Sequence, residues 1–394
     1  MVEAFRVEVR RRPYGRTRMQ GLTLIGSGWH PYLFRAEIKA LTGPLEVVHP
    51  RVVYIPLMDS SLAKLSRAAL LDDVLCSAGR YWVQGDGSVT DLAQKIAEWA
   101  RTTLPPGSFA VRARNLGTGV RGFSRDAIER EAGALVMSDA NPVDLESPEH
   151  EISVVFAGPV DGPIHRDTVG SNSPIAIWGL REVRWKRESY ASRTPSERPF
   201  FQPVSLDPRQ ARLLISLAHR QSIEPTTVVD PFCGTGGIAI EAALQGMEAL
   251  ASDLDPRMVE GTLQNLEWAG VSARAETCEA ADIASLWGSR SGCVFVFDPP
   301  YGRNSWKSGD GLEVLLNALT AAQEMDPQGA VCTMLPTAPE ALDSFPEQDI
   351  DVMGIPWSEL EVMIRGRGWE PVLLTPVKVH RSLSRMVVVC HPAG

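Results

Sequence analysis

The stretch that decides the fold of this chain is Val228-Val229-Asp230-Pro231-Phe232-Cys233-Gly234-Thr235-Gly236-Gly237. The apolar residues 226–229 are typical of a buried parallel strand, and residues 238–245 have the apolar spacing of a helix. The glycines therefore lie in a strand-to-helix turn, where a backbone without side chains lets a ligand approach and free amides favour negative charge. Such a turn is weak evidence by itself, because purely structural turns also use glycine.

Acidic residues follow at positions where a doubly wound sheet binds a nucleotide. Residues 249–253 form a short apolar strand ending in Asp253, about twenty residues after the glycines, where an acid accepts the hydroxyl groups of a ribose. We assign the cap of the next helix to Asp255 and the ribose to Asp253. Asp282 follows a predicted third strand, 273–276, and either accepts a hydrogen bond from an adenine amino group or caps a helix. These positions favour S-adenosylmethionine as the cofactor.

The tetrapeptide Asp298-Pro299-Pro300-Tyr301 follows the apolar strand 293–297 and supplies a candidate acceptor site. An aromatic exocyclic amine is a poor nucleophile, because its lone pair is delocalised until acceptors pull on its hydrogens. Asp298 and the carbonyl of Pro299 supply such acceptors, and Tyr301 offers a flat face for an extruded base. Asp-Pro-Pro also occurs in ordinary loops, but its place at the carboxyl edge of the sheet favours a functional role.

Three motifs in this order resemble the THUMP-domain tRNA guanosine-N2 methyltransferases, most closely the archaeal enzymes that act on guanosine 10. They are residues 198–212, 230–237 and 298–302, and residues 380–385 are also similar to that family. The resemblance implies an α/β fold: a Rossmann-like class I methyltransferase domain with an N-terminal α+β region, ferredoxin-like plus THUMP, that binds RNA.

The resemblance also assigns roles to single residues. Asp230, Gly234 and Gly236 are expected around the methionine part of the donor, with Asp253 at its ribose and Asp282 at its adenine. The target guanine is expected against Asp298, Pro299, Pro300 and Tyr301. Cys233 belongs to the cofactor-binding turn as a small packed residue, because this methyl transfer needs no covalent enzyme intermediate.

The expected reaction is methylation of guanine N2 in tRNA, giving one or two methyl groups, by a monomer without an activating subunit. The nearest alternatives are the same chemistry on guanosine 6 of tRNA or on ribosomal RNA. Protein-glutamine and DNA-adenine methyltransferases are more distant, because those families typically carry Asn where Asp298 stands. A non-catalytic RNA-binding protein with a decayed cofactor site is the alternative from another class.

The motifs and patterns predict four segments. They are a ferredoxin-like segment at 1–85, a THUMP domain at 86–177, a basic linker at 178–197 and the methyltransferase domain at 198–394. In the first half, helical periodicity is expected over residues 62–77, and residues 108–114 form an alternating strand with Arg112 and Arg114 on one face.

The net charge of −9 looks wrong for an RNA-binding protein, but the charge is unevenly distributed. Residues 1–200 carry a net +3 and residues 201–394 a net −12. We therefore predict RNA contacts from basic side chains of the first half. These are Arg112, Arg114, Arg184, Lys186 and Arg187. The alternatives are a solvated charged face and, for Arg112 and Arg114, ion pairs with acids on a neighbouring strand.

The rest of the composition excludes several classes. No stretch is long and apolar enough to span a membrane, and the N-terminus lacks the apolar run of a signal peptide, so a cytoplasmic location is expected. The six cysteines are scattered without a Cys-x-x-Cys pair. Neither a disulfide framework nor a metal site is therefore predicted.

Overall fold

The computed structural model describes residues 21–58, 61–85, 87–160, 172–184, 188–203, 205–299, 310–341, 348–380 and 383–394. The chain divides into two compact units, and the boundary along the chain lies between residues 186 and 187. Each unit has its own sheet and its own core. None of the helices in the described ranges is long and apolar enough to cross a membrane.

The first unit is an α+β structure around one seven-stranded sheet. Its elements are β1 (Gly21–Gly26), α1 (Pro31–Thr42), β2 (Glu46–His49), β3 (Val52–Pro56), α2 (Ser61–Leu65), β4 (Leu71–Trp82), α3 (Val89–Thr103), β5 (Phe109–Leu116), α4 (Arg125–Val136), β6 (His150–Ala157) and β7 (Ile175–Arg184). The strand order is β2-β3-β1-β4-β7-β6-β5, and among the strands that the structure describes only β5 and β6 pair in parallel. One continuous sheet therefore runs through both predicted N-terminal segments.

The helix predicted over residues 62–77 is wrong in its second half. Helix α2 ends at Leu65, and Leu71 begins β4, a central strand whose first six residues are all buried. The acidic pair Asp72 and Asp73 breaks the apolar pattern of that strand. Asp73 is 1% exposed and forms ion pairs within the sheet, so local periodicity could not predict its burial.

The linker predicted at 178–197 also needs correction, because residues 178–184 belong to β7. This strand pairs with both β4 and β6 and buries Trp178 and Leu180 in the core of the first unit. Its charged residue Arg181 lies within the predicted basic linker. It forms ion pairs with Asp73, at 3.1 Å, and with Glu151. Charge in this segment therefore reflects pairing inside a sheet.

The second unit carries the glycine turn and a parallel sheet. Its elements are α5 (Glu188–Ala191), α6 (Pro208–Leu217), β8 (Thr227–Asp230), α7 (Gly237–Leu244), β9 (Glu248–Asp253), α8 (Pro256–Ala269), β10 (Arg274–Thr277), α9 (Ile283–Trp287), β11 (Cys293–Phe297), α10 (Asp310–Met325), β12 (Ala330–Thr337), β13 (Asp351–Val352), β14 (Ile355–Pro356), α11 (Trp357–Arg365), β15 (Trp369–His380) and β16 (Leu383–Pro392).

The strand order of this sheet confirms the predicted Rossmann-like class I fold. Strands β10, β9, β8, β11 and β12 are adjacent and parallel. Strand β16 then pairs antiparallel with β12, and β15 pairs antiparallel with β16. The chain runs outward from β8 in both directions, so the switch point of the sheet lies at the carboxyl ends of β8 and β11. Ligands of open α/β sheets bind at such a point.

Candidate active site

Three predicted acids end neighbouring strands at the switch point. Strand β8 ends at Asp230, strand β9 ends at Asp253, and Asp298 directly follows β11. These strands are parallel and adjacent, so their carboxyl ends meet at the same edge of the sheet. The sequence placed the three acids on separate strands, and the topology brings them together.

The glycine turn, residues 230–237, has the shape that its sequence predicts. Gly234 has φ +51° and Gly236 has φ +77°, a left-handed conformation that residues with a side chain rarely adopt. A Cβ atom at Gly236 would lie 2.9 Å from Cγ2 of Thr262, whereas at Gly234 nothing lies closer than 3.9 Å. The turn is therefore packed against the protein at Gly236 and open at Gly234, where a ligand can approach the backbone.

Asp230 is buried beneath the turn. It is 2% exposed, and its Oδ1 accepts a hydrogen bond of 3.1 Å from the backbone N–H of Phe232. Burial, with a further contribution from the charges of Asp253 and Asp298, raises the pKa of the Asp230 carboxyl well above its usual range. Carboxyl groups thus lie close enough at this edge of the sheet to influence one another. A donor that carries positive charge, such as the ammonium and sulfonium groups of S-adenosylmethionine, fits this environment.

Asp253 is half-buried and shapes the turn. Its Oδ2 accepts the N–H of Gly234 and its Oδ1 accepts the N–H of Asp255, both at 3.0 Å. Each carboxylate oxygen can accept more than one hydrogen bond, which leaves capacity for ribose hydroxyl groups. Asp255 is the N-cap of α8 and accepts from the N–H of Arg257 at 2.9 Å, as predicted.

Asp282 is exposed in a short 3-10 turn, Ala280–Asp282, that follows β10. It precedes α9, but its side chain makes no capping hydrogen bond to that helix. The capping alternative therefore has no support in the structure, and the adenine role stays a prediction.

Helix α8, together with residues 193–203 and 205–207, supports the glycine turn, and we call these elements the brace. Within this brace, the Oγ1 of Thr262 donates to the carbonyl of Gly234 at 3.0 Å. The Nδ2 of Asn265 donates to the carbonyls of Thr235 and Phe200 at 2.9 and 2.8 Å. Its Oδ1 accepts the N–H of Phe200 at 2.9 Å. The brace fixes the turn without occupying its open side.

Sequence reasoning missed Thr262 and Asn265 as supports of the turn. The signal that could have found them is their spacing of three, which places two polar side chains on one face of α8. Both are fully buried. The brace also gives a physical role to the motif that begins at Arg198, because the Nη1 of Arg198 lies 3.4 Å from Oγ1 of Thr235.

Replacing Asn265 with Asp should damage the turn while nearly conserving shape. An aspartate cannot donate to the carbonyls of Thr235 and Phe200, and each buried polar group left without its partner costs roughly 1–3 kcal/mol. We expect the free energy of unfolding to fall by about 2 kcal/mol and affinity for S-adenosylhomocysteine to fall roughly tenfold. Denaturant unfolding and calorimetry measure both quantities. The exposed Asn317→Asp on α10 is the matched control, and unchanged donor affinity in Asn265→Asp would show that the brace does not shape the site.

Asp298 faces a partner that the sequence analysis did not assign. Its Oδ2 forms an ion pair with Nη1 of Arg385 on β16, and the two side chains are 13% and 12% exposed. Pro299 is buried beside it. Pro300 and Tyr301, also predicted to hold the guanine, lie outside the described residues.

Cys233 packs under the turn, with its Sγ 3.6 Å from Oγ1 of Thr262. Burial raises the pKa of its thiol far above the usual value, and the nearby Asp230 raises it further. The thiol is therefore held in its neutral form.

The structure describes the side chains of only some of the predicted RNA-binding residues. Arg114 forms an ion pair with Asp73 at 2.6 Å, so the alternative of pairing within the sheet is the one realised there. Arg112 donates to the carbonyl of Leu145. The side chain of Arg184 and all of residues 185–187, including the predicted Lys186 and Arg187, lie outside what the structure describes.

Arg193 in the predicted linker and Arg198 directly after it are buried rather than available to RNA. Arg193 binds Glu241 of α7 through Nε at 2.9 Å and Nη2 at 2.8 Å, and Arg212 of α6 lies 3.3 Å from the same carboxylate. Arg198 is 5% exposed. These arginines anchor the segment before α6 onto the methyltransferase unit. Across the described ranges, no group of three His, Cys, Asp or Glu side chains is placed to hold a metal ion.

Comparisons with known proteins show the family of the chain. Residues 195–362 match the family described as UPF0020, RMKL-like, methyltransferase domain. The tRNA (guanine(10)-N2)-dimethyltransferase of Methanothermobacter thermautotrophicus is 31% identical over 302 residues, which cover 76% of each chain. This chain belongs to the tRNA (guanine(10)-N2)-dimethyltransferase family.

Another member of that family, from Pyrococcus abyssi, is 28% identical over 257 residues, covering 65% of this chain and 70% of the relative. The crystal structure of TrmN from Thermus thermophilus aligns over 94% of this chain and 99% of that one, with 20% identity and a TM-score of 0.48. That likeness is too low to add to the family assignment. The matched methyltransferase domain contains the glycine turn, Asp253, Asp282 and Asp298, and it ends before β15 and β16.

Proposed function

We propose that this chain transfers a methyl group from S-adenosylmethionine to the N2 atom of guanosine 10 in tRNA. The observation that carries the proposal is the placement of Asp298 one strand away from the glycine turn, on the same edge of the sheet. A donor seated on the turn and an amine held by Asp298 would then meet across the switch point. The family relatives carry this activity in their names.

The chemistry asks the protein mainly for acceptors and orientation. S-adenosylmethionine supplies an electrophilic methyl group, and the amino group of guanine must regain its lone pair to accept it. The Asp298 carboxylate accepts a hydrogen bond from that amino group and stabilises the positive charge that develops on N2. The proton that N2 loses passes to Asp298. The Asp230 carboxyl, Gly234 and Gly236 would receive the methionine part, Asp253 the ribose and Asp282 the adenine.

The remaining assignments are part of the proposal. The first unit would act as the RNA-binding region, ferredoxin-like plus THUMP, with tRNA as the partner. The enzyme would act as a monomer in the cytoplasm, without a metal ion or an activating subunit.

Mass-spectrometric mapping of methylated guanosines tests the function directly. Purified protein is incubated with S-adenosylmethionine and unmodified tRNA, and the modified nucleotide is located. N2-methylguanosine or its dimethyl form at position 10 supports the proposal. Methylation at position 6, or only of ribosomal RNA, would replace the substrate. No methylation together with no donor binding by calorimetry would favour a non-catalytic RNA-binding protein.

Asp253→Ala should weaken binding of S-adenosylhomocysteine by roughly 1.5–3 kcal/mol, the scale of charge-assisted hydrogen bonds. The loss has two sources, because the carboxylate faces the proposed ribose site and also orders the N–H of Gly234. Affinity for tRNA should hardly change. Calorimetry on Asp253→Ala and Asp253→Asn separates the sources, since asparagine keeps one acceptor oxygen. Wild-type donor affinity combined with lower thermal stability would restrict Asp253 to a structural role.

A further inference from the structure

Arg385 reaches the candidate acceptor site from a strand that is not next to it. It lies on β16, opposite Pro336 of β12 and Val377 of β15. Strand β12 separates β16 from β11, yet the guanidinium of Arg385 forms an ion pair with the Asp298 carboxylate at the end of β11. The ion pair therefore joins side chains from two strands that have β12 between them.

The ion pair is shielded from water. Only 12% of the Arg385 side chain and 13% of the Asp298 side chain are exposed. Salt and solvent screen such a pair much less than a surface pair, so each partner strongly affects the other. Arginine remains charged throughout the working pH range of a protein.

Negative charge approaches Asp298 from the other side. Asp230 ends the neighbouring strand β8, and the charges of Asp253 and Asp298 act on its buried carboxyl. The interaction is mutual, so negative charge on Asp230 and negative charge on Asp298 disfavour each other. A protonated Asp298 would lose acceptor capacity towards an amine. The positive charge of Arg385 offsets this effect.

We propose that Arg385 is a positioning residue that keeps the Asp298 carboxylate ionised and aimed at the guanine amino group. The assignment rests on the proposed function, because it takes Asp298 as the acceptor of that amine. Arginine has no accessible basic form, so Arg385 acts through Asp298 and not as a proton acceptor itself.

The test compares Arg385→Gln and Arg385→Lys with the wild-type full chain, using unmodified tRNA at saturation. We expect Arg385→Gln to lower the single-turnover rate about a hundredfold at neutral pH and to recover part of it as the pH rises, because Asp298 ionises later. Arg385→Lys should retain much more activity, since it keeps the charge. Affinity for S-adenosylhomocysteine should stay within about threefold of wild type, and the salt dependence of tRNA binding should not change. Arg365→Gln, which removes a half-exposed, ion-paired arginine of α11, is the matched control.

Three results would overturn the proposal. Equal losses at every pH in Arg385→Gln and Arg385→Lys would show a structural role only. Weaker tRNA binding with a flatter salt dependence would show a phosphate contact. A wild-type rate in Arg385→Gln would show no role at all.

Carbon-13 NMR titration of the Asp298 carboxyl separates this proposal from the proposed function, because it needs no RNA. The signal is assigned by its absence in Asp298→Asn. It should titrate at higher pH in Arg385→Gln than in wild type, and an unchanged titration overturns the proposal. If the wild-type protein methylates no guanosine, the proposed function fails, and the titration still decides whether Arg385 controls Asp298.

Discussion

Asp298→Ala is expected to reduce the maximal rate of guanosine methylation roughly a thousandfold, while affinity for S-adenosylhomocysteine stays within about threefold of wild type. The physical reason is the position of Asp298 directly after β11, where the proposed function puts the amine. An interaction that strengthens as charge develops on N2 contributes more to the rate than to binding of either substrate. Single-turnover kinetics and calorimetry measure the two effects on the same protein.

Asp298→Ala also removes the carboxylate that forms an ion pair with Arg385, so a second variant is needed as a control. Asp298→Asn keeps the shape and one acceptor oxygen but not the charge, so its rate should lie between those of wild type and Asp298→Ala. Circular dichroism and thermal unfolding must show that both variants are folded. Near-wild-type turnover in Asp298→Ala would remove Asp298 from the acceptor site.

Glu241→Ala is expected to lower the free energy of unfolding of the methyltransferase unit by about 3–5 kcal/mol. Glu241 is 1% exposed and binds both Arg193, which is 7% exposed, and Arg212, which is 13% exposed. Removing one member of such a buried group leaves the remaining charges without compensation, which costs far more than the loss of a surface pair. Denaturant unfolding followed by circular dichroism gives the difference.

The consequences of Glu241→Ala should reach the donor site, because α7 begins directly after the glycine turn. Saturating S-adenosylhomocysteine should restore part of the lost stability, since it binds only the folded unit. Glu361→Ala, which breaks an exposed pair with Arg365 on α11, should cost far less. If the two variants unfold at the same denaturant concentration, the buried group does not anchor the segment before α6.

Local sequence patterns predicted well those elements that are defined by a short, continuous stretch of residues. The glycine turn lies between β8 and α7, and the strands at 249–253 and 293–297 were expected where β9 and β11 stand. Each is a continuous apolar run that a parallel sheet buries on both faces, bounded by residues with turn chemistry. The same local pattern, an apolar run followed by a polar residue, also predicted the acids at the ends of these strands.

The segments that were mispredicted carry charges that the fold buries. Residues 71–77 were expected to be helical and form part of β4, and residues 178–184 were expected to be linker and form part of β7. Each segment carries a charged residue that the fold pairs with the other, because Asp73 and Arg181 form an ion pair across adjacent strands. Hydrophobic periodicity treats each charged residue separately. Whether a charged side chain can be buried depends on whether the fold brings a partner of opposite charge close to it.

The amino-acid sequence by itself determined where strands β8, β9, β10 and β11 and helix α7 lie in the chain, and that a glycine turn and three acids follow or end these strands. Those properties depend on residues close together in the chain. Only the tertiary structure decided how the site is supported: that Asn265 and Arg198 hold the turn, that Glu241 collects two arginines, and that Arg385 reaches Asp298 from 87 residues away. Such contacts are set by which strands lie side by side, and strand order is a property of the whole sheet that no local pattern records.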